Sequence, residues 1–540
     1  MNSVYDVFKS SRARFGSHDF LHIPASSAQK YHTGAIDYTY DAADDEIAQL
    51  VQVYIKAGYG VGHRVGLLLD NRAEFFFHWL ALNGLGVSIV PLNGEFSIEE
   101  MAYVISHSEC DLLVSLAEKA DLVQAAVAHF QGKIPVIEAE SFSAVPGPDK
   151  PQEDSLVAQD TECAMLYTSG STGQPKGCIL NNDYFIVFGE WYRDVGGLCA
   201  LRPGQERLLT PLPLVHMNAL ACSTMGMLMT GGCIIQLDRF HPRSWWQTVA
   251  ESRATALHYL GVLPAILLNI AEGPYDQTHQ VRFGFGAGVN PKHHARFESR
   301  FGFPLIEAWA MTESGAGGCI VASHEPRHVG ECCFGKLSDK VAIKLIDESG
   351  DEVPEGIPGE LLVRATGNDP KRGFFSHYFK NEQATAETWK DNWLHTGDVV
   401  RQGADGSLYF VDRRKNVIRR SGENISALEV ETVLSLDPVV DKLAVAPAYD
   451  EIRGDEVMAC IVLKEGVVPS EDLAREIFDR SMDQLIYYKT PGYIAFVEEL
   501  PLTASQKLKR GEMKGLCAKL IEAGAAHDLR ACKKRRKVSA

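Results

Sequence analysis

The feature that most constrains the fold is an alternation of short apolar runs with longer helix-like stretches between residues 64 and 137. The apolar runs are rich in Val, Ile and Leu and do not alternate with polar residues, which is typical of strands buried on both faces of a parallel sheet. The predicted strands are 64–71, 86–92, 111–115 and 134–137, and the predicted helices are 74–85, 98–107 and 122–130. The sequence therefore predicts an α/β fold with parallel sheets flanked by helices.

The length predicts more than one domain, because 540 residues exceed what one hydrophobic core usually organises. A further strand–helix–strand pattern is predicted at 256–260, 264–272 and 281–284. Strand-like segments between 340 and 365 indicate a small antiparallel or mixed subdomain. After residue 426, helices are predicted at 427–436 and 472–484 and strands at 439–447, 457–463 and 493–497, which indicates a small separate α/β domain.

Charge and hydropathy narrow the class of protein. A net charge of −17 makes the chain a poor general binder of nucleic acid or of anionic membranes. The first residues show no apolar segment typical of a signal peptide, and the longest apolar run, 220–237, is interrupted by glycines. We expect a cytoplasmic protein that binds small molecules, with no nucleic-acid partner and no integral membrane association. The sequence leaves monomer and homodimer open.

The twelve cysteines form no Cys-x-x-Cys pair and no cluster with zinc-ligand spacing. We interpret them as reduced thiols in a hydrophobic core. The basic run 533–538 resembles a nuclear localisation signal, but a solvated terminus is the preferred interpretation.

Residues 166–177 combine three glycines, four hydroxyl side chains and Lys176 directly after an apolar run. Glycines let the main chain approach a ligand closely, and hydroxyls, amides and a lysine can all donate to phosphate oxygens. The spacing does not match the common phosphate-binding loop, in which a glycine is followed by four residues and then by Gly-Lys-Ser/Thr. A flexible linker is the alternative, but Pro175 and Lys176 disfavour it. The predicted phosphate-binding residues are Thr168, Ser169, Gly170, Ser171, Thr172, Gly173 and Lys176.

This run resembles the signature loop of the adenylate-forming superfamily, which includes acyl-CoA synthetases, adenylation domains and luciferases. Six further blocks resemble that family and occur in its order. They are 211–218, 284–290, 307–315, 393–398, 409–426 and 500–510. The resemblance covers most of the chain and is greatest with crotonobetaine/carnitine–CoA ligases and other acyl-CoA synthetases. It implies a large N-terminal domain, 1–414, with the ATP and acyl sites, and a mobile C-terminal lid, 415–540.

The resemblance also implies roles for individual residues around ATP. Thr312 would contact the α-phosphate, and Glu313 would bind Mg²⁺, for which carboxylate oxygen is a suitable ligand. The implied adenine and ribose contacts are Gly286, Ala287, Gly288, Glu307, Ala308, Trp309, Asp398 and Arg413. Trp309 stands where the family usually has tyrosine, and it would still offer an apolar face to adenine.

For the lid, the resemblance implies that Lys507 is essential for adenylation and that Lys415 is the hinge. Ser421, Gly422, Glu423 and Asn424 would form the loop on the CoA side. The acyl pocket would include His216, Ala310, Gly315 and Gly317. Ala310 and Gln506 replace family glycines, so we expect a narrower acyl channel and a stiffer loop before Lys507. His216 has two open interpretations, a wall of the carboxylate pocket or a group that moves between half-reactions.

The implied activity is an ATP-dependent carboxylic acid–CoA ligase that uses ATP, Mg²⁺ and coenzyme A. It would form an acyl-adenylate and then a thioester. One alternative is a stand-alone adenylation enzyme that loads a carrier protein, although residues 216–218 lack the Asp expected for an α-amino acid substrate. The other alternative is a nucleotide-binding regulator without turnover, since Trp309, Ala310 and Gln506 depart from the family pattern.

Overall fold

The computed structural model describes residues 1–168, 175–413, 417–420, 423–450, 454–482, 484–485, 487–502 and 508–533. The chain forms two compact units. The larger unit contains Met1–Lys344, Leu362–His395 and Gly403–Tyr409, and the smaller unit contains Leu345–Leu361, Thr396–Gln402 and Phe410–Ala540. The units do not follow a single cut in the sequence, and the functional division into 1–414 and 415–540 stays a prediction.

The helices predicted at 74–85, 98–107, 122–130, 264–272, 427–436 and 472–484 all occur, with ends that differ by at most four residues. The described part of the chain forms a larger set of helices. They are α1 (Val4–Phe15), α2 (Ala25–Ala28), α3 (Tyr40–Ala57), α4 (Ala73–Gly84), α5 (Ile98–Ser108), α6 (Ala120–His129), α7 (Asn182–Asp194), α8 (Thr224–Thr230), α9 (Trp245–Glu251), α10 (Val262–Leu268), α11 (Pro291–Phe301), α12 (Glu382–Thr388), α13 (Ala427–Leu434), α14 (Glu471–Met482) and α15 (Arg510–Glu522).

The strands are β1 (Asp19–Ile23), β2 (Ile36–Thr39), β3 (Arg64–Leu68), β4 (Ser88–Pro91), β5 (Leu112–Ser115), β6 (Val136–Glu138), β7 (Glu162–Thr168), β8 (Lys176–Asn181), β9 (Arg207–Thr210), β10 (Cys233–Gln236), β11 (Ala256–Leu260), β12 (Phe283–Ala287), β13 (Leu305–Trp309) and β14 (Ile320–Val321). They continue with β15 (Cys333–Gly335), β16 (Val341–Ile346), β17 (Gly359–Ala365), β18 (His377–Tyr378), β19 (Trp389–Lys390), β20 (Trp393–Gln402), β21 (Leu408–Arg413), β22 (Val417–Arg420), β23 (Glu423–Ser426), β24 (Val440–Asp450), β25 (Gly454–Leu463), β26 (Tyr493–Phe496) and β27 (Ala526–Asp528).

A seven-stranded sheet in the larger unit has the order β18-β8-β7-β4-β3-β5-β6. The strands from β7 to β6 are parallel, which confirms the fold class predicted from residues 64–137. The pattern of residues 166–177 predicts Lys176 within a loop, and this is wrong: Lys176 begins β8, antiparallel to β7 and opposite Thr168. The glycine- and hydroxyl-rich run therefore connects the two strands of a hairpin.

The second sheet of the larger unit has eight strands in the order β14-β13-β12-β11-β9-β10-β1-β2. Its central strands β13, β12, β11, β9, β10 and β1 pair in parallel. Apolar side chains such as Leu257, Ile235 and Phe297 bury one face against α9, α10 and α11. The glycine-rich connection follows β7 of the seven-stranded sheet, and the glycine turn at 286–288 lies at the end of β12 in this sheet. Open α/β sheets usually bind ligands at such strand ends.

The smaller unit contains a sheet in the order β23-β22-β25-β26-β27, with β24 paired to β25. Ile418, Val445, Val457 and Ile461 bury one face of it together with Ile477 from α14. The helices and strands predicted after residue 426 are confirmed.

The C-terminal basic run is anchored at its start, in contrast to the solvated terminus that was predicted. The Lys533 ammonium contacts Glu456 Oε1, and its side chain is 2% exposed. Arg420 Nε donates to both Glu456 oxygens at 2.9 and 2.8 Å. The Glu456 carboxylate is fully buried, and these two cations compensate its negative charge. Residues 534–538 lie outside the described residues.

Ten of the twelve cysteines are buried, Cys332 and Cys532 are partly exposed, and all twelve are free thiols. This agrees with the predicted reduced core thiols.

In the described part of the chain, none of the helices is both long and apolar enough to cross a membrane.

We expect Glu456→Gln to destabilise the smaller unit by about 3–5 kcal/mol, because Arg420 and Lys533 would remain as buried cations without a counter-ion. All seven tryptophans lie in the larger unit, so hydrogen–deuterium exchange of β25 and β26 is the appropriate measurement. Asp479→Asn is the matched control, since it breaks the exposed Arg475 pair and should cost less than about 1 kcal/mol. Equal protection in the two variants would contradict a stabilising role for the buried cluster.

Candidate active site

The carboxylate of Glu313 is the centre of a polar cluster in the larger unit. It is 6% exposed. Tyr378 donates its hydroxyl to Glu313 Oε1 at 2.7 Å, and the Thr168 hydroxyl lies 3.4 Å from the same oxygen. The Cys178 thiol lies 3.9 Å from it. Three neighbouring strands, β7, β8 and β18, thus present donors to one carboxylate, and two predicted site residues 145 positions apart come together.

Lys176 contacts the same cluster through Tyr378. Its Nζ lies 4.8 Å from the centroid of the Tyr378 ring, within the range of a cation–π interaction. The register of β18 on β8 produces this contact, because Tyr378 pairs with Cys178, two residues after Lys176. Tyr378 belongs to no predicted motif, since its contacts depend on a strand pairing that no local pattern signals.

Backbone contacts fix the turn that holds Thr312 and Glu313. The Tyr184 hydroxyl donates to the Thr312 carbonyl at 3.0 Å, and the Phe375 amide donates to the Glu313 carbonyl at 3.1 Å. Both ends of the Thr312–Glu313 segment are therefore held by neighbouring elements.

Gly315 and Gly317 follow in this turn, and neighbouring backbone leaves no space for a side chain at either position. A Cβ at Gly315 would lie 2.2 Å from the Gly373 carbonyl oxygen, and one at Gly317 would lie 2.2 Å from that of Arg372. Close backbone packing thus accounts for both residues, while their place in an acyl pocket, with the partly exposed Ala310, stays a prediction.

Glu307 on β13 supports the glycine turn that follows β12. Its two oxygens accept hydrogen bonds from the Gly288 and Val289 amides, both at 2.8 Å. A Cβ at Gly286 would lie 2.3 Å from the Tyr259 carbonyl oxygen, so the strand accepts only glycine there. Burial raises the pKa of Glu307 to about 7, although the two amides favour its charged form.

The other predicted adenine contacts are largely covered. Ala308 is buried, and Trp309 is 6% exposed with its ring centroid 6.4 Å from that of Phe334. Ala287 is partly exposed at the end of β12. The structure therefore gives Trp309 a core contact, and its stacking on adenine stays a prediction.

His216 is partly exposed and precedes a π-helix, Asn218–Ser223. Such irregular turns often occur at functional sites. Behind the π-helix lies the buried His258, which belongs to none of the predicted motifs. Its Nδ1 is 2.7 Å from Ser223 Oγ and 3.1 Å from Asn218 Oδ1, and its Nε2 is 2.9 Å from the Tyr192 hydroxyl. Burial lowers the pKa of His258 to about 3, so it is neutral and positions the π-helix.

The two predicted ribose contacts meet within the smaller unit. Arg413 Nε lies 3.1 Å from Asp398 Oδ1, with the carboxylate buried and the guanidinium half-exposed. The Thr396 hydroxyl accepts from the Asp398 amide at 3.0 Å and donates to the Leu361 carbonyl at 2.7 Å. The Thr-Gly-Asp turn therefore holds the aspartate in a fixed direction.

Several predicted site residues lie outside the described residues: Ser169, Gly170, Ser171, Thr172, Gly173, Lys415, Ser421, Gly422 and Lys507. Glu423 and Asn424 begin β23, where their backbones pair with Arg420 and Arg419. Among the described residues, no group of three or more His, Cys, Asp or Glu side chains could hold a metal ion.

Comparison with known proteins identifies related families, sequences and structures. The AMP-binding enzyme family model matches residues 22–370, and the model of the AMP-binding enzyme C-terminal domain matches residues 429–507. The chain is 29% identical over 494 residues to a crotonobetaine/carnitine–CoA ligase of Escherichia coli, covering 88% of this chain and 93% of that one. The ligase of the same name from Citrobacter koseri is 27% identical over 500 residues, with the same coverage.

Solved structures share the fold. The o-succinylbenzoate CoA synthetase of Bacillus subtilis in complex with its acyl-adenylate superposes with a TM-score of 0.78 at 23% identity, covering 95% of this chain and 98% of that one. An anthranilate CoA ligase in complex with anthranoyl-AMP gives a TM-score of 0.81 at 21% identity, covering 96% and 98%. Since the family model spans more than half of the chain and the motifs occur in family order, this protein belongs to the AMP-binding enzyme family.

Proposed function

We propose that this protein is an ATP-dependent carboxylic acid–CoA ligase that releases AMP and pyrophosphate. The observation that supports this most is the convergence of Thr168 and Tyr378 on the Glu313 carboxylate, with the Lys176 ammonium over the Tyr378 ring. A hydroxyl, a cation and a carboxylate next to a glycine-rich connection suit the phosphates of a nucleotide and a divalent ion. The relatives that cover most of the chain are CoA ligases, which favours this activity over a carrier-protein-loading enzyme or a regulator without turnover.

The chemistry requires two displacements. A carboxylate is a poor acyl donor because its leaving group would be oxide. Attack of a carboxylate oxygen on the α-phosphorus of ATP expels pyrophosphate and forms a mixed anhydride with AMP. The CoA thiol then attacks the acyl carbon, loses its proton and expels AMP. The protein's task is to position the reactants and to stabilise the charge that develops on the phosphates.

The residues around Glu313 fit Mg²⁺, which prefers hard oxygen ligands and usually shares them with substrate phosphates. Glu313 offers a carboxylate, and Thr168 offers a hydroxyl 3.4 Å away. When bound, Mg²⁺ neutralises part of the triphosphate charge. One carboxylate is enough in such an arrangement, because phosphate oxygens and water complete the coordination shell.

Each predicted residue has a distinct proposed task. Lys176 and the hydroxyls of residues 168–172 bind the departing pyrophosphate, and Thr312 binds the α-phosphate. Asp398 and Arg413 bind the ribose diol, and Lys507 stabilises the charge between the acid and the α-phosphate. Glu307 supports the turn of residues 286–289 beneath adenine. We further propose that residues 415–540 move about Lys415 between the two half-reactions, which would bring Ser421–Asn424 to the CoA side.

The proposal leaves the identity of the acid substrate open within the class of small carboxylic acids. The relatives are named for crotonobetaine and carnitine, and the structural neighbours for o-succinylbenzoate and anthranilate. ATP–pyrophosphate exchange with a panel of such acids tests adenylation directly. CoA consumption in the presence of the active acid then separates a CoA ligase from a carrier-protein-loading enzyme, and nucleotide binding without exchange would favour the regulator.

We expect Lys507→Ala to reduce ATP–pyrophosphate exchange by about 10²–10³-fold, because one preorganised donor to the transition-state charge is lost. Thioester formation from supplied acyl-adenylate should change little. Lys509→Ala is the matched control, since Lys509 is two residues away and pairs with Glu512 at 3.4 Å. Equal losses in the two half-reactions would show that Lys507 does not act in adenylation specifically.

Glu307 should make stability depend on pH. Its pKa is raised in the folded protein to about 7, so between about pH 4.5 and 7 the unfolded chain loses its proton while the folded protein keeps it. The free energy of unfolding should therefore fall by about 2–3 kcal/mol from pH 5 to pH 8 on account of this group. Chemical denaturation across this range should show a smaller fall for Glu307→Gln and an unchanged fall for Glu251→Gln, which alters an exposed carboxylate. Parallel profiles for wild type and Glu307→Gln would exclude the effect.

A further inference from the structure

We propose that Tyr378 is a positioning residue that prepares Glu313 for Mg²⁺ and Lys176 for the triphosphate, an inference that rests on the proposed function. Its hydroxyl contacts Glu313 on one side, and its ring contacts Lys176 on the other. No predicted motif includes it.

The first part of the proposal concerns the two oxygens of Glu313. Tyr378, Thr168 and Cys178 all direct their donors to Oε1. Among the described residues, none of the hydrogen bonds to this side chain ends on Oε2. The Tyr378 bond is the shortest of the three at 2.7 Å, so it does most to fix the carboxylate plane. One oxygen is therefore held by the protein, and the other remains available to a cation.

The second part concerns Lys176. A lysine close to a buried carboxylate would normally form an ion pair with it, and that pair would neutralise both groups before a nucleotide arrives. In the described residues, Lys176 and Glu313 form no ion pair, and the Lys176 ammonium lies over the Tyr378 ring at 4.8 Å instead. The ring attracts the cation through its negative face without consuming a hydrogen-bond acceptor. Both charges are kept for the ligand.

Tyr378 is itself held rigidly enough to do this. Its amide donates to the Thr385 hydroxyl at 3.0 Å, and its ring lies against Phe375 with centroids 4.8 Å apart. The side chain is buried.

The experiment compares Tyr378→Phe, which removes only the hydroxyl, with Tyr378→Leu, which also removes the ring. The control is Tyr40→Phe, which deletes a fully buried hydroxyl bonded to the Met227 and Gly232 carbonyls, remote from the Glu313 cluster in sequence. The measured quantity is the dissociation constant of ATP with excess EDTA and with excess MgCl₂, by calorimetry on the full chain without any acid. This readout does not depend on turnover or on knowledge of the acid.

In the wild-type protein we expect Mg²⁺ to tighten ATP binding. Tyr378→Phe should reduce that gain about 5–10-fold and leave Mg²⁺-free binding unchanged, since one hydrogen bond to a charged group is lost and the ring remains. Tyr378→Leu should also weaken Mg²⁺-free binding, because Lys176 is released. Tyr40→Phe should change thermal stability without changing either constant.

The outcomes separate this inference from the proposed function. If Mg²⁺ tightens ATP binding by the same factor in the wild-type protein and in Tyr378→Phe, the hydroxyl has no positioning role and the inference is wrong. A Tyr378→Leu variant that binds Mg²⁺-free ATP like wild type would refute the part that concerns Lys176. If wild-type protein binds no ATP under either condition, the proposed function fails and the inference fails with it.

Discussion

A carboxylate that is almost completely buried has to be satisfied by donors from the protein, and the architecture around Glu313 follows from this requirement. The donors come from three adjacent strands, β7, β8 and β18, which belong to one sheet. The hairpin of β7 and β8 places Thr168 and Lys176 opposite each other at the ends of the glycine-rich connection. Pairing of β18 on β8 then adds Tyr378. The geometry of the site is a property of strand register, and the motif residues depend on it.

Much of the fold could be predicted from local patterns. Uninterrupted apolar runs identified the parallel strands between residues 64 and 137, because strands covered on both faces leave no polar alternation. The family resemblance implies that Thr168 and Glu313 act on one ATP molecule, and the two side chains lie 3.4 Å apart. The resemblance also implies that Asp398 and Arg413 contact one ribose, and these two side chains lie 3.1 Å apart, although their ribose contact stays a prediction.

The features that were missed all depend on contacts distant in sequence. The glycines and hydroxyls next to Lys176 predict a loop there, whereas the strand that begins at Lys176 is defined by its pairing with β7. Tyr378 acts on residues 65 and 202 positions away, and His258 is a lone polar residue in an apolar strand. A terminal basic run predicts a solvent-exposed Lys533, but its partner Glu456 is a buried carboxylate that no local pattern identifies.

The anchoring of Lys533 also has a consequence for biosynthesis. Glu456 precedes Lys533 by 77 residues, so the ribosome completes β25 well before it supplies the second cation of the buried cluster. Until then, Arg420 is the cation among the described residues that can pair with Glu456, and the buried cluster lacks one of its charges. We therefore expect the larger unit to acquire its parallel sheets during translation, and the smaller unit to complete its packing after residue 533 has emerged.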